Sequence, residues 1–375
     1  MDFDFPDDLK IMRDEARKLL GQRCPPSVVR GALERRDGYD RKLWQDISDL
    51  GWVGAAVPEA HGGAGLGHLA VCVLAEEIGY ALAPLPYSSS VYLAIEALMM
   101  AGSAAQQASH LPGLAAGRSI GTFACAEQPG PLLVDRLRTR FADGRVSGTK
   151  LAVPDGDVAD LAVVAAVDAR RGPLLALVDL KGPGVKRETV ATIDPSRSHA
   201  TIVFDHAPAE VLESGSGAAS IRRLIDRAAV MMAFEQVGGA QAALDMATAY
   251  AKERYAFGRP IGSFQAVKHK LADMYVAVEL ARSNAYYGAW ALSTDAAELP
   301  VAASVARISA CDAGWITSKE NVQTHGGMGF TWEGDAQLHY RRARLLGLAL
   351  GGTGEWKRRL ANELRTRNTP ESLPA

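Results

Sequence analysis

Three textures follow one another along the chain, and their order restricts the fold more than any single residue does. Up to about residue 120 the apolar residues recur at helical spacing. Leu43, Trp44, Ile47 and Leu50 form one such stripe, and Gly51 ends it. A second stripe through Leu69, Val73, Leu74 and Ile78, with Glu77 beside them, runs on to the break at Pro84-Leu85-Pro86. From 121 to 212 the pattern becomes short β-rich runs, among them Leu161 to Val164, Leu174 to Val178 and Thr201 to Phe204. Turn signals at Asp143-Gly144, Asp155-Gly156 and Lys181-Gly182-Pro183-Gly184 separate them, as in an antiparallel barrel or sandwich. Ser214-Gly215-Ser216-Gly217 reads as a flexible joint. Beyond it, Ile221, Leu224, Ile225, Ala228, Met231 and Met232 open a run of long helical patterns that suits a bundle. The expectation is an α+β chain of three domains: helical over 1–120, β over 121–212, and a four-helix bundle over 213–375.

Composition removes several functions. The net charge of −2 gives no basic field for nucleic acid or anionic lipid. Cys24, Cys72, Cys125 and Cys311 form no CxxC pair, which argues against a zinc site or a disulfide framework and suits a reducing cytosol. The acidic start Met1-Asp2-Phe3-Asp4 lacks the basic and apolar regions of a signal peptide. Glu76-Glu77 and Arg170-Arg171 interrupt the most apolar stretches, so no segment reaches the roughly 20 apolar residues that span a bilayer. A cytoplasmic location is expected. The glycine-rich Gly62-Gly63-Ala64-Gly65-Leu66-Gly67 follows no strand and breaks the GxGxxG spacing at His68, so it reads as a turn between helices.

Two segments carry chemistry. In Tyr250 to Met274, Arg254 stands where a helix gives way to a Gly258-Arg259-Pro260 turn, and its guanidinium fork suits a pyrophosphate. Phe257 offers a face for stacking, and Gln265 can bridge polar edges. In Gln323-Thr324-His325-Gly326-Gly327-Met328-Gly329-Phe330, the paired glycines let backbone N–H groups approach an anion without Cβ interference. Taken one at a time these residues have plainer readings: Arg254 paired with a surface carboxylate, Phe257 in a core, the glycines merely turning the chain. Taken together and in order, with Val57-Pro58-Glu59-Ala60-His61-Gly62-Gly63 as a weaker third match, they resemble the acyl-CoA dehydrogenase family over nearly the whole chain. The resemblance implies FAD as cofactor, with Arg254, Phe257, Gln265, Gln323, Gly326 and Gly327 holding it.

The pattern then departs from the family. The family's Thr-Glu-Pro-x-Ala-Gly-Ser-Asp stretch is here Ala124-Cys125-Ala126-Glu127-Gln128-Pro129-Gly130-Pro131. Its Gly-x-Lys-x-Trp-Ile-Thr-Asn-Gly is Gly148-Thr149-Lys150-Leu151-Ala152-Val153-Pro154-Asp155-Gly156, and its Tyr-Arg-Asp-Ala-Lys is Tyr340-Arg341-Arg342-Ala343-Arg344. Above all, the Tyr-Glu-Gly-Thr that supplies the family's catalytic base is Leu350-Gly351-Gly352-Thr353. Glycine cannot take a proton, so no catalytic residue is expected at 351. Isovaleryl-type members carry their glutamate earlier, at a position that aligns with Ala228. Asp226 points roughly 160° away from it around a helix, and Glu235 lies about 20° off the same face but some 10 Å along the axis. Glu235 interrupts an apolar stripe and reads first as a buried structural carboxylate and second as a relocated base.

In the family's tetramers the equivalents of Arg254, Phe257, Gln265, Gln323 and the Gly326-Gly327 turn reach into a neighbour's flavin, whereas those of Ala126, Ala152, Pro154 and Gly351 serve the subunit's own. This chain keeps the first set and has lost most of the second, Thr353 being the main exception. The resemblance therefore implies a subunit of a heterotetrameric acyl-CoA dehydrogenase of lipid or steroid breakdown. A second subunit would carry the catalytic glutamate, an acyl-CoA would be oxidised to the 2,3-enoyl-CoA, and an electron-transferring flavoprotein would take the electrons. Two rivals stand beside it: an active homo-oligomer with a relocated base such as Glu235, and a structural or regulatory partner without flavin.

Overall fold

A computed structural model describes residues 5–35 and 38–367. Its helices are α1 (Asp7–Arg23), α2 (Pro26–Arg35), α3 (Arg41–Asp49), α4 (Gly67–Tyr80), α5 (Glu96–Ala101) and α6 (Ala104–Ala115), then α7 (Ala218–Glu253), α8 (Gln265–Ser293), α9 (Leu299–His325), α10 (Ala336–Leu348) and α11 (Thr353–Arg367). Between the two groups run β1 (Gly121–Ala124), β2 (Arg140–Ala142), β3 (Arg145–Pro154), β4 (Leu161–Asp168), β5 (Gly172–Asp179), β6 (Val185–Thr189), β7 (His199–Pro208) and β8 (Glu210–Ser216). A two-stranded hairpin, β9 (Tyr255–Ala256) and β10 (Arg259–Pro260), separates α7 from α8. The order helices, sheet, helices is the one the textures predict. None of the helices among the described residues is long and apolar enough to cross a membrane.

Contacts gather into two groups, each assembled from distant stretches of chain. Among the described residues, one joins those up to Arg30, Cys72–Ala83 and those from Ala229 to Arg367; the other joins those between Gly31 and Val71 and Pro84–Ala228.

The first group is helical, and glycine sets its closest approach. A Cβ on Gly79 of α4 would stand 1.8 Å from the carbonyl oxygen of Glu235 on α7, and one on Gly238 of α7 would stand 1.8 Å from that of Glu76. The two helices thus pack backbone to backbone, which a methyl on either side would prevent. Buried Glu76 and Glu77 are matched by arginines from neighbouring helices, Arg282 of α8 and Arg17 of α1.

The second group is built on the sheet, in the order β6-β7-β3-β2-β4-β5-β8, with β1 added alongside β4. Most pairings are antiparallel, as the turn signals imply, but β1 and β2 both run parallel to β4, so the sheet is mixed. The parallel pairing of β1 with β4 suits their composition: every residue of β1 and the first six of β4 are buried, as in strands covered on both faces. One expectation is corrected here. Residues 214–216 are not a flexible joint; they end β8, where Ser216 pairs with Leu174 of β5 across a bulge. Gly215 serves close packing, since a Cβ there would stand 2.9 Å from Leu212 Cβ and 3.0 Å from Leu175 Cβ.

Candidate functional site

The end of α7 leads into the first of the two motif segments through ordinary backbone geometry. Arg254 N–H still closes onto Tyr250 carbonyl at 2.8 Å, and Ile261 N–H returns to Arg254 carbonyl at 2.8 Å across the β9–β10 hairpin. The hairpin turns through Phe257 and Gly258, with φ of +53° and +78°. Two successive left-handed residues are what a two-residue hairpin loop needs, but a phenylalanine there carries a steric cost that asparagine or glycine would avoid. Phe257 is nonetheless 96% exposed, so packing does not repay that cost within the chain. Its ring meets Phe264 edge to face at 6.3 Å, and Arg259 lies over the other ring at 4.1 Å. Arg254 and Gln265, the first residue of α8, are exposed.

The second segment is fastened beside the first. His325, at the end of α9, stacks on Tyr250 of α7 at 4.1 Å, while its Nδ1 bonds the Asn321 carbonyl at 2.9 Å. This brings the turn Gly326–Phe330 to the same end of the helices as Arg254 and Phe257. Gln323, Gly326 and Gly327 are exposed, and a Cβ built on either glycine would meet no atom within 4 Å. Gly329 differs: its Cβ would fall 2.4 Å from the Val322 carbonyl, so it folds the turn back on α9. Met328 and Phe330 are also exposed, at 57% and 79%. A guanidinium, an open backbone turn and unburied aromatic rings fit a cofactor with a diphosphate and a ring system. The set predicted from sequence is therefore drawn together, and it faces outward.

Thr353 stands apart from it. It is half-buried at the start of α11. Before it the chain turns through Leu350 and Gly351, with φ of +56° and +95°. Arg307 of α9 holds this turn. It is fully buried, donates to the carbonyls of Leu346 and Ala349 (2.6 Å to the latter), and also to Gln236 Oε1. Sequence reasoning missed a carboxylate here. Glu355 folds back from the first turn of α11, so that a Cβ on Gly351 would stand 2.6 Å from its Oε2. The signal was the four-residue spacing across a glycine turn.

Glu235 is fully buried, with Arg342 Nη1 3.8 Å from its Oε1. Arg342 in turn donates to the carbonyls of Leu82 and Ala83 at 3.2 and 3.4 Å. Glu235 is thus the countercharge of a buried arginine that ties α10 to the end of the α4 segment, as the structural reading expects. His339 shares a small cavity with these two residues. Burial lowers its pKa to about 4, against the opposing influence of Asp335.

In the sheet group, the altered stretches have structural work of their own. Lys150 is buried and bonds Glu127 at 2.8 Å and the Cys125 carbonyl at 3.2 Å. Burial would raise the Glu127 pKa, but Lys150, together with Thr139, outweighs it and holds the group at about 2. Ala152 lies in a β3 bulge with φ of +46°, and the Pro154 carbonyl accepts from Thr122 Oγ1 at 2.5 Å. Ala152 and Pro154 themselves bring no side-chain donor to this edge.

Fold and motifs together define a flavoenzyme class, and comparison with known proteins agrees. The profile "Acyl-CoA dehydrogenase, N-terminal domain" matches residues 6–118 and "Acyl-CoA dehydrogenase, C-terminal domain" matches residues 215–363. The chain belongs to the acyl-CoA dehydrogenase family, whose members are FAD-dependent oxidoreductases. It is 32% identical to acyl-CoA dehydrogenase IpdE2 of Mycobacterium tuberculosis, over 96% of this chain and 98% of that one. Among solved structures, the ChsE4-ChsE5 complex from Mycobacterium tuberculosis matches with a TM-score of 0.90 at 29% identity, covering 99% of this chain and 100% of that one. The Tcur3481-Tcur3483 steroid ACAD, solved as a variant, matches with a TM-score of 0.88 at 31% identity, covering 96% and 98%.

Proposed function

We propose that this chain is one subunit of a heteromeric, cytoplasmic acyl-CoA dehydrogenase that oxidises an acyl-CoA to its 2,3-enoyl-CoA. Its outward set of Arg254, Phe257, Gln265, Gln323, Gly326 and Gly327 would hold the FAD of a second, base-carrying subunit, with Thr353 toward its own side. Bound FAD supplies the two-electron acceptor for the hydride leaving the β-carbon, and an electron-transferring flavoprotein is the expected next acceptor. The partner's carboxylate would remove the α-proton in the partner's cleft. On this reading the chain is organised as helical residues 1–120, β residues 121–212 and a helical 213–375 that carries the cofactor contacts.

One observation carries the proposal. Every residue of the outward set is exposed in the isolated chain, including an aromatic ring held in a costly backbone conformation, while position 351 is a glycine. Groups that face away from their own subunit are positioned for a neighbour. The ChsE4-ChsE5 and Tcur3481-Tcur3483 structures, each named for two components, lend support. Glu235 is a poor alternative base, because its carboxylate is enclosed and matched by Arg342. Purifying the chain alone tests the proposal: it should bind FAD poorly and leave acyl-CoAs unoxidised. Stoichiometric FAD and turnover without a partner would overturn it.

A further inference from the structure

The turn Gly326–Phe330 continues through Thr331 to Asp335 before α10 begins, and the hydrogen bonds inside that stretch are long. Thr331 N–H meets the Met328 carbonyl at 3.3 Å, and Gly334 N–H meets both the carbonyl and the hydroxyl of Thr331 at 3.3 Å. The usual N–H···O length is about 2.9–3.0 Å, so these bonds hold the loop weakly. Gly334 lets the chain fold back, since a Cβ there would stand 2.2 Å from the Met328 carbonyl oxygen. Glycine supplies conformational freedom, however, and not rigidity.

Arg30 of α2 supplies shorter contacts. Its Nε donates to the Trp332 carbonyl at 3.1 Å, and its Nη2 donates to the Glu333 carbonyl at 3.1 Å and to Asp335 Oδ1 at 2.6 Å. Three acceptors within four successive residues thus meet one planar fork, a match that suits a guanidinium. The Arg30 side chain is 21% exposed, so water competes for the fork only in part. Asp335 is the N-cap residue of α10, yet its side chain makes no capping hydrogen bond; the carboxylate pairs with Arg30 instead. A plainer role for Arg30 is to tie α2 to the start of α10, and the Asp335 contact alone would do that. The two carbonyls belong to the loop itself, and bonding them fixes its backbone.

We infer that Arg30 is a positioning residue for the cofactor site: it holds the loop behind Gly326–Phe330 in one shape, so that the turn meets its anion pre-organised. Arg30 acts through the loop and not on the cofactor. Without it the loop samples several shapes, and FAD must order it on binding, which lowers affinity. The inference rests on the reading that Gln323, Gly326 and Gly327 hold FAD, and goes beyond it by naming a residue outside both motif segments, 302 positions before Trp332. It holds whether that FAD belongs to this chain or to a neighbour.

The test compares Arg30→Ala with wild type in two measurements. Hydrogen–deuterium exchange of the chain alone reads the order of residues 326–335, and flavin fluorescence reads FAD release from the FAD-loaded assembly. Arg30→Ala should speed both exchange in that segment and FAD release about tenfold, the worth of one hydrogen bond to a charged group. Gly79→Ala, which crowds the α4–α7 contact, is the stability control: it should lower the urea midpoint and yet release FAD as wild type does. If Arg30→Ala fails to fold, Arg30→Lys keeps the test, because one ammonium does not reproduce the planar fork; it should raise both rates by a smaller factor. Unchanged exchange over 326–335, or FAD release no faster than from Gly79→Ala, would overturn the inference. Arg254→Ala, measured alongside, separates the two readings. FAD lost from Arg254→Ala but kept by Arg30→Ala defeats the inference alone, and FAD kept by both defeats the cofactor reading as well.

Discussion

Phe257 shows at a single residue what the account requires. An exposed aromatic ring at φ +53° gains nothing from burial in its own chain, so its value lies outside it. Arg254→Ala and Phe257→Ala should therefore leave the chain's own stability within about 0.5 kcal/mol, as surface changes generally do. The same variants should weaken FAD retention by the assembled enzyme about tenfold or more, the worth of a hydrogen bond to a charged group or of an aromatic contact. Flavin release during gel filtration checks this. His339 makes the opposite kind of prediction. Its pKa falls from 6.5 to about 4 on burial, so between those values the unfolded chain binds a proton that the folded chain does not. Stability should thus be lost as pH falls from about 6.5 to 4, by about 3 kcal/mol in all, and denaturant titrations of His339→Gln should show a flatter pH dependence. At this scale the sequence was readable where local turn geometry decides, as for the left-handed glycines 326 and 351. It was unreadable where meaning depends on a fold-back. Glu355 lies four residues beyond 351, and the turn from Gly351 into α11 brings its carboxylate back to that position.

Elements were legible through periodicity, and the exceptions have physical causes. The stripe Leu43, Trp44 and Ile47 is buried on α3, but Leu50 comes after the helix has ended at Asp49 and is exposed. The runs at 161–164 and 174–178 are strands as expected, yet nothing in an all-apolar run states whether its neighbour is parallel, which is why the pairing of β1 with β4 was not foreseen. Ser214-Gly215-Ser216 has linker composition, but its glycine is there to let β8 approach Leu175. Close approach also governs α4 against α7. Gly79→Ala and Gly238→Ala each push a methyl into a carbonyl 1.8 Å away, and each should cost about 1–3 kcal/mol or more by overpacking. Urea midpoints should fall for both, while Gly327→Ala, which meets open space, should leave the midpoint nearly unchanged.

On the scale of the whole molecule, sequence texture and contact grouping divide the chain differently. Texture is local, so it reports helices, strands and helices in order. Contacts are not: one group combines the beginning of the chain, the short piece Cys72–Ala83 and the C-terminal helices. The family identity was legible because its motifs are short and local; the division of labour within an assembly is a property of surfaces that no single chain completes. The account stands on the claim that this chain's outward set serves a partner's flavin. Counting FAD per chain, for the chain alone and after co-expression with a family member carrying the intact Tyr-Glu-Gly-Thr, tests that claim most directly. The account predicts little FAD alone and one FAD per two chains in the assembly, lost when Arg254 is replaced; one FAD per chain in a homo-oligomer of this chain would contradict it.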